Sequence, residues 1–229
     1  MQNKDYSYYA IIVAGGKGKR MNQDLPKQFL RINHLPILMH TIKAFHHHTY
    51  QPQIILVLAE TDVAYWKSLL QQYQFDVPHQ IAFGGDERFD SVKNGLDLIH
   101  EENAVVAVHD AVRPLVSSET ISRCFDTAVL KGNAIAAVAS KDSVRRITQK
   151  GNEALNRAEI YLIQTPQTFQ INQLRKAYKQ SFQSHFTDDA AVVEKAGFDI
   201  SIEKGDQFNF KITFPEDLIL AEAILKSRT

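Results

Sequence analysis

Four cationic side chains crowd three glycines near the start of this 229-residue chain: Lys17, Lys19, Arg20 and Lys27 stand around Gly15, Gly16 and Gly18. Glycines after a strand let the backbone turn tightly and bring its N–H groups close to a ligand. Lysines and an arginine beside those groups make an anion site, and the obvious anion is a run of phosphates. A basic turn with no ligand is the plain alternative, but it gives no reason for so much like charge at one strand end. Two more clusters close apolar runs. His109-Asp110-Ala111-Val112-Arg113-Pro114 follows Ala104 to Val108, and an acid at the carboxyl end of a central parallel strand sits where α/β folds place ligands. Gly84-Gly85-Asp86-Glu87-Arg88 follows Gln80 to Phe83 and suggests a second close backbone approach. His46, His47 and His48 are adjacent, so they do not converge on one ion as an i, i+4 pair can; they read as a solvated helix end. Cys124, the single cysteine, reads as a small buried apolar residue.

The elements that must hold these residues alternate between strands and helices. Ile11 to Val13, Gln53 to Ala59, Ala104 to Val108 and Asn133 to Ala139 are apolar runs without a polar face, the pattern of strands buried on both sides. Helices are expected at Ile37 to His47, at Asp62 to Tyr73 with Asp62 placed to cap or to favour its N-terminus, and at Ser118 to Leu130 with Ser118 as cap. Ser91, Val92, Leu96 and Ile99 fall on a further helix, and Trp66 reads as core. Lys141 to Glu159 is charged and alternating, with a turn at Lys150-Gly151-Asn152, and reads as a projecting two-stranded ribbon. An isolated ribbon is marginal in water, so it is expected to pack on a second copy, making a homodimer. Ile160 to Gln167 returns to the core. Helices follow at Asn172 to Phe182 and Asp188 to Ala196, the latter capped by Thr187 or Asp188 and stopped by Gly197. Asp199 to Glu203 and Phe208 to Thr213 read as strands, and Pro215 opens a last helix. The fold expected is α/β: a Rossmann-like, mostly parallel sheet flanked by helices, with a projecting β-ribbon dimerisation arm at about 141–159 of a single domain spanning 1–229.

Composition limits the partners. Net formal charge is zero, so nothing argues for nucleic acid or a membrane surface, and no apolar run approaches the ~20 residues of a membrane span. The 44% hydrophobic content suits a protein with a real core. One cysteine allows no intrachain disulfide, and the opening MQNKDYSYY lacks the apolar stretch of a signal peptide; a cytoplasmic location is expected.

Three phosphate-binding loops compete. A P-loop needs Ser or Thr after Gly18-Lys19, where Arg20 stands. A dinucleotide fingerprint needs glycine at Met21 and an acid about twenty residues on; Glu60 is far too distant. The nucleotidyltransferase loop fits, as Ala14-Gly15-Gly16-Lys17-Gly18-Lys19-Arg20-Met21 with Pro26-Lys27. It resembles the loop of enzymes that join a nucleoside monophosphate to a sugar or polyol phosphate.

Later motifs come in one order: Gly84-Gly85-Asp86-Glu87-Arg88 with Ser91-Val92, Val108 to Pro114, Gln164-Thr165-Pro166-Gln167-Thr168-Phe169, Thr187-Asp188-Asp189-Ala190, Lys211-Ile212-Thr213 and Pro215-Glu216-Asp217-Leu218. Together they look like the 2-C-methyl-D-erythritol 4-phosphate cytidylyltransferase family, from about Tyr9 to Leu225. That resemblance implies transfer of CMP from CTP to the polyol phosphate, giving 4-diphosphocytidyl-2-C-methyl-D-erythritol and pyrophosphate in the non-mevalonate isoprenoid pathway, with magnesium. It implies that Arg20 and Lys27 stabilise the transition state at the α-phosphate, and that Arg157 and Lys211 hold the acceptor phosphate. Ala14, Gly15, Gly16 and Gly18 match the backbone around the triphosphate; Gly85, Asp86 and Ser91 match the cytosine and ribose contacts. Arg113, Ser143 and Thr187 match polyol-side contacts, and Asp110 faces the metal or the substrate hydroxyls. The ribbon of this family crosses to the partner subunit, so Arg157 implies a site built from two chains. Ser143 stands where threonine is usual, which touches the polyol pocket. The competing readings are a ribitol 5-phosphate cytidylyltransferase, a non-catalytic nucleotide-binding protein and, disfavoured by Met21, an NAD-binding oxidoreductase.

Overall fold

The structure, a computed structural model, describes residues 6–14 and 25–228. The expectations on Gly15, Gly16, Gly18 and Arg20, and on Lys17, Lys19 and Met21 beside them, lie outside those residues. In chain order the first half holds β1 (Ser7–Val13), a hairpin of β2 (Arg31–Ile32) and β3 (Leu35–Pro36), α1 (Ile37–His46), β4 (Gln53–Leu58), α2 (Val63–Gln72), β5 (Gln80–Phe83), α3 (Arg88–Leu96) and β6 (Ala104–Asp110). The second half holds α4 (Ser118–Lys131), β7 (Asn133–Ala139), β8 (Val144–Thr148), β9 (Gly151–Leu155), β10 (Tyr161–Gln170), α5 (Ile171–Ala177), α6 (Asp189–Lys195), β11 (Ile202–Lys204) and α7 (Pro215–Ser227). Short 3-10 turns cover Lys27–Phe29, Glu60–Asp62 and Arg157–Glu159.

Seven strands form one sheet in the order β11-β7-β10-β6-β1-β4-β5. The chain lays β1, β4 and β5 outward in one direction and then crosses back to place β6 on the other side of β1. That reversal makes a switch point between β1 and β6, where crevices form outside the carboxyl ends of the strands. Within this sheet the strands run parallel except β10, which is antiparallel to both β6 and β7. β6 sits at the centre, and all seven of its residues are buried: Ala104 to Val108 as an unbroken apolar run dictates, and then His109 and Asp110.

Side chains alternate between two cores. On one face Ala10, Ile12 and Leu56 meet α1, α2 and α4 through Phe45, Trp66 and Phe125; on the other Tyr9, Ile11 and Val57 meet α3, α5 and α6 through Val92, Leu174 and Val193. Each large aliphatic side chain so buried stabilises the fold by about 1.5–3 kcal/mol before the entropy of ordering it. A Cβ on Gly95 would lie 2.9 Å from Ile11 Cγ2, so glycine lets α3 lie close on β1. A third cluster, Ile32, Ile37, Val112, Leu115, Ile212 and Ala221, seats α7 beneath the segment that follows β6.

Several local expectations are corrected. The cap of α4 is Ser117, whose hydroxyl accepts from the Thr120 N–H, because Ser117 keeps the extended backbone a cap needs while Ser118 is already helical. Asp62 makes no cap bond; its carboxylate accepts from Gln28 Nε2 at 3.2 Å instead. His48 is not solvated: it is buried, with Nε2 against Ser118 O and Ser122 Oγ and its ring stacked on Tyr50. Residues 208–213 form no strand, since separate bonds hold them, among them Asn209 Nδ2 to Thr165 O at 2.8 Å and Ile212 N to Val112 O at 2.9 Å. β10 returns to the core only from Gln164 onward; Tyr161, Leu162 and Ile163 are exposed. The helix expected to reach Phe182 ends at Ala177. The ribbon of β8 and β9 is present as a separate antiparallel pair, its turn at Gln149-Lys150 followed by Gly151 at φ 125°.

Candidate active site

Asp110 ends β6 and pairs in register with Val13, the last residue of β1. The glycine loop therefore departs from Ala14 directly beside Asp110. Ala14 is fixed twice: its N–H donates to Val57 O at 2.8 Å, and its carbonyl accepts from Gln28 Nε2 at 3.0 Å. Gln28 belongs to the same 3-10 turn as Lys27, so one buried amide ties the loop's departure to that lysine. Lys27 Nζ in turn reaches Ile212 O at 3.3 Å, next to Lys211.

Three cations converge on the Asp110 carboxylate. Lys211 Nζ lies 3.0 Å and Arg113 Nε 3.2 Å from Oδ2, and Arg88 Nε lies 3.8 Å from Oδ1. Burial by itself would raise the carboxyl's pKa, but Lys211, then Arg88 and Arg113, outweigh it and hold the group well below the usual carboxylate range. Arg88 is gripped from behind by Asp189, which accepts from Nη1 at 2.9 Å and from Nη2 at 2.7 Å, and Tyr178 Oη donates to the same carboxylate at 2.6 Å. Burial opposes the charge on Arg88, yet Asp189 and Asp110 keep its guanidinium more firmly protonated than usual. Arg113 Nη1 also donates to Asn209 O at 2.8 Å, fastening the segment that carries Lys211 to the end of β6.

Asp110 and its three cations, Arg88, Arg113 and Lys211, line a cavity of about 200 Å³ together with Ile163, Gln164, Thr165, Gln167, Thr187 and Asp188. The bulge of β10 between Ile163 and Gln167 turns its polar residues into that cavity. Asp188 caps α6 through Ala191 N at 2.9 Å and accepts from Gln167 Nε2 at 2.9 Å, so both its oxygens are engaged. Among the described residues no three His, Cys, Asp or Glu side chains group as a metal cage. Asp110, offset by three cations, does not offer the anchor of a resident divalent ion. Magnesium characteristically keeps waters and phosphate oxygens, and that donor set suits an ion carried by a triphosphate.

Of the residues expected from the sequence, Lys27, Asp110, Arg113, Thr187 and Lys211 come together at this end of the sheet. Gly85, Asp86 and Ser91 lie at the start of α3, alongside; Gly85 N donates to Ser91 Oγ at 3.1 Å, and a Cβ on Gly85 would fall 2.3 Å from that of Asp90. Its glycine is thus required by the helix start itself. Arg157 and Ser143 lie elsewhere, exposed at the base of the ribbon, with Arg157 Nη1 on Lys141 O at 3.0 Å. Arg88, Thr165, Gln167, Asp189 and His109 carried no role in the sequence reading. The signal was polar residues inside strands and helices that are otherwise apolar, because a buried polar side chain persists only where it is bonded.

The family model described as IspD: 2-C-methyl-D-erythritol 4-phosphate cytidylyltransferase matches residues 8–227. A relative of that name from Bacteroides fragilis is 47% identical over 216 residues, covering 94% of this chain and 98% of its own. Another, from Syntrophus aciditrophicus, is 40% identical and covers 95% of each chain. The solved structure of the 4-diphosphocytidyl-2C-methyl-D-erythritol synthase from Anaerococcus prevotii superposes with a TM-score of 0.82 at 28% identity, over 96% of both chains.

Proposed function

The chain belongs to the 2-C-methyl-D-erythritol 4-phosphate cytidylyltransferase family, and from that premise we propose that it transfers CMP from CTP to 2-C-methyl-D-erythritol 4-phosphate and releases pyrophosphate. The observation that carries the assignment is the convergence of Lys211, Arg113 and Arg88 on Asp110 beside the departure of the glycine loop. The attacking oxygen belongs to a phosphate already ionised at neutral pH, so no general base is required. Catalysis then reduces to holding two polyanions in line and offsetting charge as the α-phosphate is attacked. Lys211 and Arg113, with Thr187, are assigned to the acceptor side. Arg20 and Lys27 are assigned to the α-phosphate, and Ala14, Gly15, Gly16 and Gly18 to the triphosphate backbone. Gly85, Asp86 and Ser91 are assigned to the cytidine.

Asp110 is assigned to the substrate side, where it holds its three cations together against their mutual repulsion at the cavity until a phosphate competes for them. Magnesium is assigned to the triphosphate, whose charge it would lower. Arg157 and Ser143 stand apart from the cavity within one chain, and this supports a homodimer in which the ribbon at about 141–159 of one copy completes the site of the other. The whole chain would act as one nucleotidyltransferase domain, in the cytoplasm.

The test is pyrophosphate release with CTP and magnesium, using methylerythritol phosphate and ribitol phosphate as parallel acceptors. Preference for methylerythritol phosphate is expected. Preference for ribitol phosphate would keep the chemistry and replace the acceptor, and release with neither would remove the assignment.

A further inference from the structure

We propose that His109, a residue no substrate can touch, is the positioning residue that holds the Asp110 carboxylate and Arg113 in their working relation; the substrate named below rests on the function proposed above. The imidazole is fully buried, with its ring edge against Phe45 at 4.9 Å between centroids. Both ring nitrogens are used. Nε2 lies 3.1 Å from Arg113 O, which can only accept, so Nε2 carries the hydrogen. Nδ1 therefore accepts, and its partner is the Thr165 hydroxyl at 3.0 Å. The Thr165 oxygen accepts in turn from the Asp110 N–H at 3.1 Å.

With the Arg113 Nε to Asp110 Oδ2 contact at 3.2 Å, these bonds close a ring: His109, Thr165, Asp110, Arg113 and back to His109. A second ring shares three of its members, Thr165, His109 and Arg113, since Asn209 Nδ2 donates to Thr165 O at 2.8 Å and Arg113 Nη1 donates to Asn209 O at 2.8 Å. Two residues beyond Asn209 stands Lys211. One imidazole thus sets the strand end that bears Asp110, the turn that bears Arg113 and, through Thr165 and Asn209, the segment that bears Lys211. An apolar side chain would fill this site more cheaply, because two buried ring nitrogens are costly unless bonded. The bonds they make lead to the cationic cluster and to nothing else.

Two amides separate the arms of the ring. In His109→Gln the amide nitrogen overlies Nε2 and keeps the bond to Arg113 O while Thr165 loses its acceptor. In His109→Asn the amide oxygen overlies Nδ1 and keeps the Thr165 bond while Arg113 O loses its donor. Both variants, and Thr165→Val, are assayed beside the wild type with CTP and methylerythritol phosphate, and their thermal unfolding is recorded. Each is expected to raise KM for the polyol phosphate by about 10-fold, with KM for CTP within about twofold, in protein that is still folded. His109→Gln/Thr165→Val is expected to cost about as much as either change alone, since both cut the same arm. Unchanged constants in the folded variants overturn the proposal, as does an equal rise in KM for both substrates that tracks lost stability. Should the wild type turn over neither acceptor, the function falls separately, and inorganic phosphate binding by calorimetry decides the role of His109. Weakening by about 10-fold in both amide variants supports it, and equal or absent binding overturns it.

Discussion

Three positive side chains around one carboxylate give Asp110 a pH signature that can be measured. Its pKa is lowered in the folded protein, chiefly by Lys211 and then by Arg88 and Arg113, against a burial effect of opposite sign. A carboxylate more acidic when folded stabilises the fold above its unfolded pKa of about 3.9, and that contribution is lost as pH falls through the folded value. Asp110→Asn should therefore cost about 2–4 kcal/mol at neutral pH, because three cations keep their mutual repulsion and lose their common partner. The gap between wild type and variant should stay constant down to about pH 5 and shrink only on further acidification below the ordinary carboxylate range. Urea unfolding of both proteins at pH 7, 5 and 3 checks this; a gap that widens toward low pH would contradict it. His109 shifts in the same direction for a different reason: burial pushes its pKa down to about 4, so it is neutral near pH 7, with Nδ1 free to accept.

At the scale of elements, what could be read in advance follows from which force sets each one. β1, β4, β6 and β7 were legible because strands buried on both faces must be apolar without interruption. β10 was legible only as a return to the core. Its buried half is Gln164-Thr165-Pro166-Gln167-Thr168-Phe169, and nothing local in that string says strand rather than loop; tertiary bonding to β6, β7 and residues 206–209 decides it. The same bonds explain the opposite error at residues 208–213, where an alternating sequence looks like a strand and the side chain of Asn209 is spent on Thr165 instead. The switch point was legible as an acid after a central strand, whereas the grip of Asp189 on Arg88 crosses about a hundred residues and left no mark beyond two adjacent aspartates. The α4 cap separates two neighbouring serines in the same way, and it can be tested directly. Ser117→Ala should lower unfolding stability by about 1 kcal/mol, through loss of the bond to Thr120 N, while Ser118→Ala should stay within about 0.5 kcal/mol. Equal effects in chemical denaturation would return the cap to Ser118.

At the scale of the whole molecule, the cavity and the ribbon base divide the expected acceptor-phosphate residues between two places on one chain, Lys211 in the first and Arg157 in the second. If two copies complete each other, a mixture restores what each variant lacks. Arg157→Ala and Lys211→Ala should each be nearly inactive, while coexpressed or refolded together they should recover about a quarter of wild-type activity. Half the dimers are then mixed, and each carries one intact site. No recovery in verified mixed dimers would place both residues in one chain's site. The sheet order bears on a different matter, the emergence of the chain from the ribosome. β6 finds β1 at once, since β1 precedes it, but its other edge waits for β10, whose last residue lies about 60 residues beyond Asp110. At 5–20 residues per second that edge stays open for about 3–12 s. For that interval the fully buried central strand of the sheet keeps one unpaired edge, so nascent chains halted between β6 and β10 are the ones a chaperone must cover.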